Sequence, residues 1–262
     1  MAGMLNFSSW METIAPDWVQ GLPELLQTLL FQLYQTFIYQ DRWQWFLNGL
    51  KVTFIVTLGA LALGVIIGIL VAVVRSTHDS QRAGQRNPLL GVLDLFCRVY
   101  LTVIRGTPMM VQLLIMGFVI FIPKSEADMI ICGILALGIN SGAYVAEIAR
   151  SGIMSIGAGQ MEAGRSLGLS YVQTMRYIII PQAIKNILPA LGNEMITLLK
   201  DTSLVSVIGL RDVTKQAQNV MAITYNAFVP YISLAAIYLV IVLGLTKLLS
   251  IVEGRMRESD RR

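Results

Sequence analysis

In a chain this apolar, chemistry has to come from the few polar residues set inside hydrophobic runs. Asn140, Tyr144 and Glu147 recur at helical spacing and so share one face. Glu194 and Asp201 stand seven apart on another run, with Lys200 and Thr202 beside the latter. Arg105 and Thr107 interrupt a third, in Arg105-Gly106-Thr107-Pro108. An ionisable group at membrane depth is costly unless it is paired or faces water, so each of these is a binding candidate by default. The alternative is that they pair with one another and lock helices, or sit near a membrane end. If the span is Leu101–Phe121, Arg105 lies near its cytoplasmic edge and can snorkel. Asp94 and Arg98 then form an i, i+4 pair. Gly106 and Pro108 would break the helix and free backbone groups that protein or a water-filled cavity must satisfy. A gate and a fixed kink fit that break equally.

Other chemistry is missing. No G-x4-G-K-[ST] segment is present, so nucleotide must be bound by another polypeptide. No nucleophile–base set is visible, and the chain reads as non-catalytic. His78 stands alone and reads as a solvated loop residue, and neither cysteine has companions, so no metal site is expected. Cys97 and Cys132 lie in apolar runs, where a buried free thiol fits better than a disulfide. No basic stripe with interleaved aromatics appears, which argues against nucleic acid.

The elements that position these residues are membrane helices. Hydrophobic residues make up 55% of the 262, charged ones 14%, and mean hydropathy is positive. Spans are expected at about 46–74, 89–122 (interrupted at Arg105), 129–149, 183–210 and 231–252. Gly64 and Gly68 form a small-xxx-small pair, and Gly59, Gly138 and Gly142 add further sites of close helix contact. Residues 1–45 differ: Leu22, Leu25, Leu26, Leu29, Leu30, Leu33 and Phe37 recur at helical spacing, with Glu24, Gln27, Gln32 and Gln35 on the other face. That pattern predicts an amphipathic interfacial helix rather than a span, with Trp10, Trp18, Trp43 and Trp45 as headgroup anchors. No basic region and cleavage site precede it, so no cleaved signal is expected. Arg75, Arg82, Arg86, Arg150, Arg165, Arg176, Lys185, Lys247, Arg255, Arg257, Arg261 and Arg262 fall on one side of the spans, against Arg42, Lys124, Arg211 and Lys215 on the other. The first side is therefore expected to be cytoplasmic, with the N-terminus outside, the C-terminus inside and a basic tail at 253–262.

One polar loop, 151–181, carries a recognisable pattern. Glu162-Ala163-Gly164-Arg165-Ser166-Leu167-Gly168 is followed at a fixed interval by Ile178-Ile179-Ile180-Pro181. A short helix there could offer Met161, Leu167 and Leu169 to a groove on a partner. Gly168 would permit a sharp turn, and Pro181 would begin the next helix where its missing N–H costs little. The pattern resembles the EAA loop of permease subunits of ATP-driven (ABC) importers, with Gly164 in place of the second Ala and Ile180 in place of Leu. Ser141–Arg150, Gly159-Gln160, Arg105–Pro108 and Lys200–Leu204 are similar to the branch that imports polar amino acids.

The resemblance covers the chain from about Trp45 to the end and implies an all-α type I importer permease, with five core transmembrane helices in a permease domain at 46–252, in the inner membrane. It implies coupling to an ATPase through Glu162, Ala163, Gly164, Leu167, Gly168 and Pro181. It also implies partners: two cytoplasmic ATPases, which use the ATP and Mg, a second permease, and an extracytoplasmic amino-acid-binding protein. No cofactor is expected on this chain. A zwitterionic amino acid suits the mixed set of Arg105, Thr107, Asn140, Tyr144, Glu147, Glu194, Lys200, Asp201 and Thr202. The alternatives are an ion-coupled secondary transporter or channel, a scaffold without transport, and an ABC permease for another small solute.

Overall fold

The computed structural model of the chain describes residues 5–81 and 87–260, and regular structure among them is entirely helical. Arg82, Arg86, Arg261 and Arg262, which enter the charge argument, lie outside the described residues. The α-helices in chain order are α1 (Phe7–Thr13), α2 (Asp17–Gln20), α3 (Glu24–Leu33), α4 (Trp43–Asp79), α5 (Pro88–Gly106), α6 (Met109–Ile115), α7 (Glu126–Met154), α8 (Ala158–Ser166), α9 (Tyr171–Thr174), α10 (Ile180–Asp201), α11 (Val213–Thr224) and α12 (Phe228–Asp260). π-helical turns at Tyr34–Ile38, Met116–Ile120 and Met175–Ile179 and a 3-10 stretch at Thr202–Ile208 extend several of them.

Helices α4, α7 and α12 are long and apolar enough to cross a bilayer, and α5 with α6 makes a broken fourth candidate. The 22 residues of α10 reach far enough, about 33 Å at 1.5 Å per residue, but Lys185, Glu194, Lys200 and Asp201 lower its hydropathy. These five are the segments expected from the sequence.

At the centre, α4 packs along α7, and small residues let the two backbones approach. A Cβ at Gly64 would fall 2.8 Å from Ser141 Oγ, and one at Gly68 would fall 2.6 Å from Val145 Cβ. Gly138 and Gly142 return the arrangement against Leu63 and Ile67, and Gly59 against Ile134, so all five anticipated glycines sit in this seam. Around it Val56, Ala60, Leu113, Cys132, Leu137, Leu198 and Val205 form the main core. Cys132 is a fully buried free thiol.

Several expectations change. The span 89–122 is not one straight helix: α5 and α6 meet at 108°, because Thr107 is extended (φ −120°) and Pro108 cannot continue the ladder. The segment 183–210 closes as a 3-10 turn ending at Gly209, whose φ is +89°. His78 is no solvated loop residue; α4 runs on to Asp79, and the ring is packed beside Asp94. The helix expected from Leu22 to Phe37 is present as α3 and the π-turn after it, but residues 5–41 as a whole form a small folded unit. They fold back on themselves, burying Trp10 at 3% exposure against Val19 and Phe31, so Trp10 is a core residue and not an anchor. Trp45 packs against the Phe46–Val213 cluster, whereas Trp18 and Trp43 are exposed.

Candidate functional site

The loop between α7 and α10 is ordered by local rules. α8 ends in a Schellman arrangement: Leu169 N–H donates to Gly164 O (3.1 Å), and Gly168 N–H to Arg165 O (3.0 Å). Gly168 takes φ +84°, which a side chain rarely adopts. Ser170 and Gln173 then form a capping box that starts α9. Gly164 is buried where a Cβ would lie 2.6 Å from Thr174 Cγ2, which gives the departure from the EAA pattern a steric reason. Glu162, Ala163 and Leu167 face outward, Leu167 at 81% exposure. Pro181 lies in the first turn of α10. The result is a short helix, braced from behind, whose outer face is exposed.

A second feature is an ion-pair network joining α4, α5 and α7. Asp94 is 2% exposed, with Arg98 Nε 2.6 Å, Arg75 Nε 3.6 Å and His78 Nδ1 3.5 Å from its carboxylate oxygens. Arg75 also reaches Glu147 (3.7 Å), as does Arg105 (3.6 Å), whose guanidinium lies 5.8 Å from the Tyr144 ring centroid. The i, i+4 pair was legible in the sequence; Arg75 as its bridge to Glu147 was not, since the contact links residues remote along the chain. Arg105, with its side chain 46% exposed, pairs with Glu147.

The break after Gly106 is repaired by one side chain. Gln112 Nε2 donates to Ile104 O (2.7 Å), Thr107 Oγ1 (2.8 Å) and Thr107 O (3.1 Å), and its Oε1 accepts from Asn140 Nδ2 (2.9 Å). Gln112 is the residue that sequence reasoning missed here, although freed carbonyls beside Pro108 called for such a donor.

Two open clefts meet at Glu147. One, about 460 Å³, is lined by Arg75, Arg98, Thr102, Arg105 and Glu147. The other, about 420 Å³, is lined by Tyr144, Glu147, Ser151, Asn186 and Glu194. Glu194 accepts a 2.7 Å bond from Ser141 Oγ, tying α10 to the glycine seam. The structure thus brings Arg105, Tyr144, Glu147 and Glu194 together. Lys200, Asp201 and Thr202 stand one to two turns further along and line neither cleft, and the Thr202 hydroxyl donates to Leu199 O (2.6 Å). Among the described residues no cluster of His, Cys, Asp and Glu could hold a metal.

Among the described residues the protein is helical, with helices long and apolar enough to cross a bilayer and one braced loop whose outer face is exposed, the architecture of a membrane transport subunit. The family described as binding-protein-dependent transport system inner membrane component matches residues 83–258, and the chain belongs to it. It is 38% identical over 217 residues to the arginine transport system permease protein ArtQ of Bacillus subtilis, covering 82% of this chain and 93% of that one. To the glutamine transport system permease protein GlnP of Escherichia coli it is 36% identical, covering 80% and 92%. Among solved structures, an amino acid ABC transporter crystallised with histidines matches with TM-score 0.72 and 45% identity over 81% of this chain and 94% of that one. The methionine transporter MetNI, at 18% identity and TM-score 0.66 over 81% and 96%, shares the fold. Membership places the protein in the inner membrane and makes an ATPase and a binding protein its partners.

Proposed function

We propose that this chain is the permease subunit of an ATP-driven, binding-protein-dependent importer of polar amino acids. It is a pore subunit without catalytic residues or cofactor of its own. Two copies of a cytoplasmic ATPase supply ATP hydrolysis, and a second permease, identical or homologous, completes the pathway. The observation that carries the reading is α8, a helix fixed by Gly164 and the Schellman turn yet presenting Leu167 at 81% exposure. A surface held so firmly, with Leu167 left exposed among Gln160, Glu162 and Arg165, suits a partner that pushes on it. In the orientation set by the positive loops, α8 faces the cytoplasm. ATP binding draws the two engines together, α8 passes that movement to the helices, and the pathway opens to the binding protein; hydrolysis resets it inward.

The substrate meets the two clefts. Arg75, Arg98 and Arg105 make one cationic, fitting a carboxylate, while Glu194 and Asn186 in the other fit an ammonium or a polar side chain. Glu147, already shared by two arginines, divides them. Glu194→Gln keeps the size of the side chain and removes its charge. In liposomes with the ATPase and binding protein, arginine uptake should fall about tenfold relative to glutamine, the effect of losing roughly 1.4 kcal/mol at one charged contact. Wild-type uptake of both amino acids would make Glu194 a helix lock through Ser141 and nothing more.

A further inference from the structure

Residues 5–41 lie outside the family-matched region, and their fold is inverted relative to a unit that faces water. The inside is small: Trp10, Val19 and Phe31, with the Trp10 and Phe31 rings 5.4 Å apart. Outside are Leu25 at 72%, Trp18 at 64% and Ile38 at 57% exposure, with Leu26 and Leu33 beside them. Two of the glutamines expected on the polar face, Gln27 and Gln35, turn back instead. Gln27 Nε2 donates to Leu22 O (2.9 Å) and Gln20 O (3.2 Å), and Gln35 Nε2 to Leu5 O (2.9 Å). Thr36 Oγ1 donates to Gln32 O (2.7 Å), and the buried Arg42 donates from Nη1 to Gln35 O (2.8 Å). The carbonyls of Leu5, Leu22 and Gln35, outside the α-helical ladder, are thus paired inside the unit. Next to hydrocarbon, each unsatisfied carbonyl costs several kcal/mol, and internal donors are what a non-helical backbone requires.

Attachment fixes the level of this unit. Arg42 passes without a linker into α4, and Phe37 joins Leu234 and Ile237 of α12 in the cluster around Phe46. The spanning window of α12 is only 11% buried by protein. An apolar groove of about 330 Å³ opens between Trp18, Leu33, Tyr34, Phe37 and Ile38 at this junction. Glu12, Asp17, Glu24 and Asp41 are exposed as well, which keeps the unit shallow and disfavours anionic headgroups.

We propose that residues 5–41 form a collar embedded in one leaflet at the N-terminal ends of α4 and α12, its outer face and groove covered by acyl chains of zwitterionic phospholipid. The full chain in phosphatidylcholine nanodiscs tests this through Trp18. Part of the lipid carries bromine near the headgroup end of its acyl chains, and tryptophan emission of the wild type is compared with that of Trp18→Phe and Trp43→Phe. Trp18 is exposed, so the substitution leaves the small core intact. The Trp18 contribution, taken as wild type minus Trp18→Phe, should fall about twofold or more with brominated lipid, as for a ring at the acyl boundary. A Trp18 contribution unaffected by bromine overturns the proposal. Quenching by aqueous acrylamide would then mean that the face meets water, and protection from both quenchers that protein, such as a second copy of this chain, covers it.

Discussion

The α4–α7 seam and the α8 loop are both rich in glycine and use it in opposite ways. In the seam, Gly64 and Gly68 are consumed by contact: a Cβ at either would meet Ser141 or Val145 within 3 Å. In the loop, Gly157, Gly159 and Gly168 meet nothing, and Leu167 and Val172 stand 81% and 70% exposed. Gly164 is the exception, a seam-type glycine that braces the loop from behind. The seam is closed by contacts among the described residues, whereas the outer face of the loop is left exposed. Under the proposed function, the first region stores stability and the second transmits force.

That contrast can be broken at its strongest point first. Gly68→Leu forces α4 away from α7 and should cost about 3 kcal/mol or more, read as loss of folded protein in detergent. Wild-type thermal stability in that variant would mean that the helices do not approach as closely as Gly68 implies. Leu167→Glu should leave the isolated chain within about 0.5 kcal/mol of wild type, since the side chain packs on nothing, while abolishing ATP-coupled uptake. A destabilised Leu167→Glu chain would show that the loop is packed after all. Gly168 is a poorer probe, because any side chain there also strains a backbone at φ +84°.

The smallest effect comes from the packed side. Asp212 caps α11 through Lys215 N–H (2.8 Å) and Thr214 N–H (3.1 Å), beside Val213, which sits against Gly49 of α4. Burial pushes its carboxyl up to about 6, against the pull of those N–H groups. The folded state therefore holds this proton more tightly than the unfolded one. The group's contribution is fully present below about pH 4 and lost as pH rises through 6, at most about 3 kcal/mol in all. Melting temperature in detergent should drop between about pH 4 and 6.5, and Asp212→Asn should flatten that drop. A profile identical in the variant would contradict the burial of this charge.

Much of this was legible in the sequence because periodicity and spacing are local. The five hydrophobic segments, the glycine seam and the Asp94–Arg98 pair follow from intervals along one helix. The fixed register from Glu162 to Pro181 made the loop recognisable, and Gly164 turned out to be required by Thr174. What stayed hidden depends on long-range meeting. Arg75 bridges to Glu147, Gln112 crosses to Asn140, and Ser141 reaches Glu194, each from a different helix. The N-terminal unit was legible only in part: α3 and the turn after it form a helix where the pattern from Leu22 to Phe37 predicts one, but Gln27 and Gln35, placed on its polar face by pattern, donate to carbonyls of their own chain. Polarity in a sequence does not say whether its partner is water or backbone.

The central claim is that α8 is where a separate engine grips this subunit, and Leu167 tests it most directly. The chain would be purified in mild detergent with its cellular partners, wild type beside Leu167→Glu, and the ATPase retained by each measured by mass spectrometry and ATP hydrolysis. The account predicts a co-purifying ATPase with its own phosphate-binding loop on the wild type, and its loss or uncoupling from the variant with folding unchanged. Equal retention and coupled hydrolysis in both, or a wild-type preparation without ATPase that moves solute on an ion gradient, would contradict it.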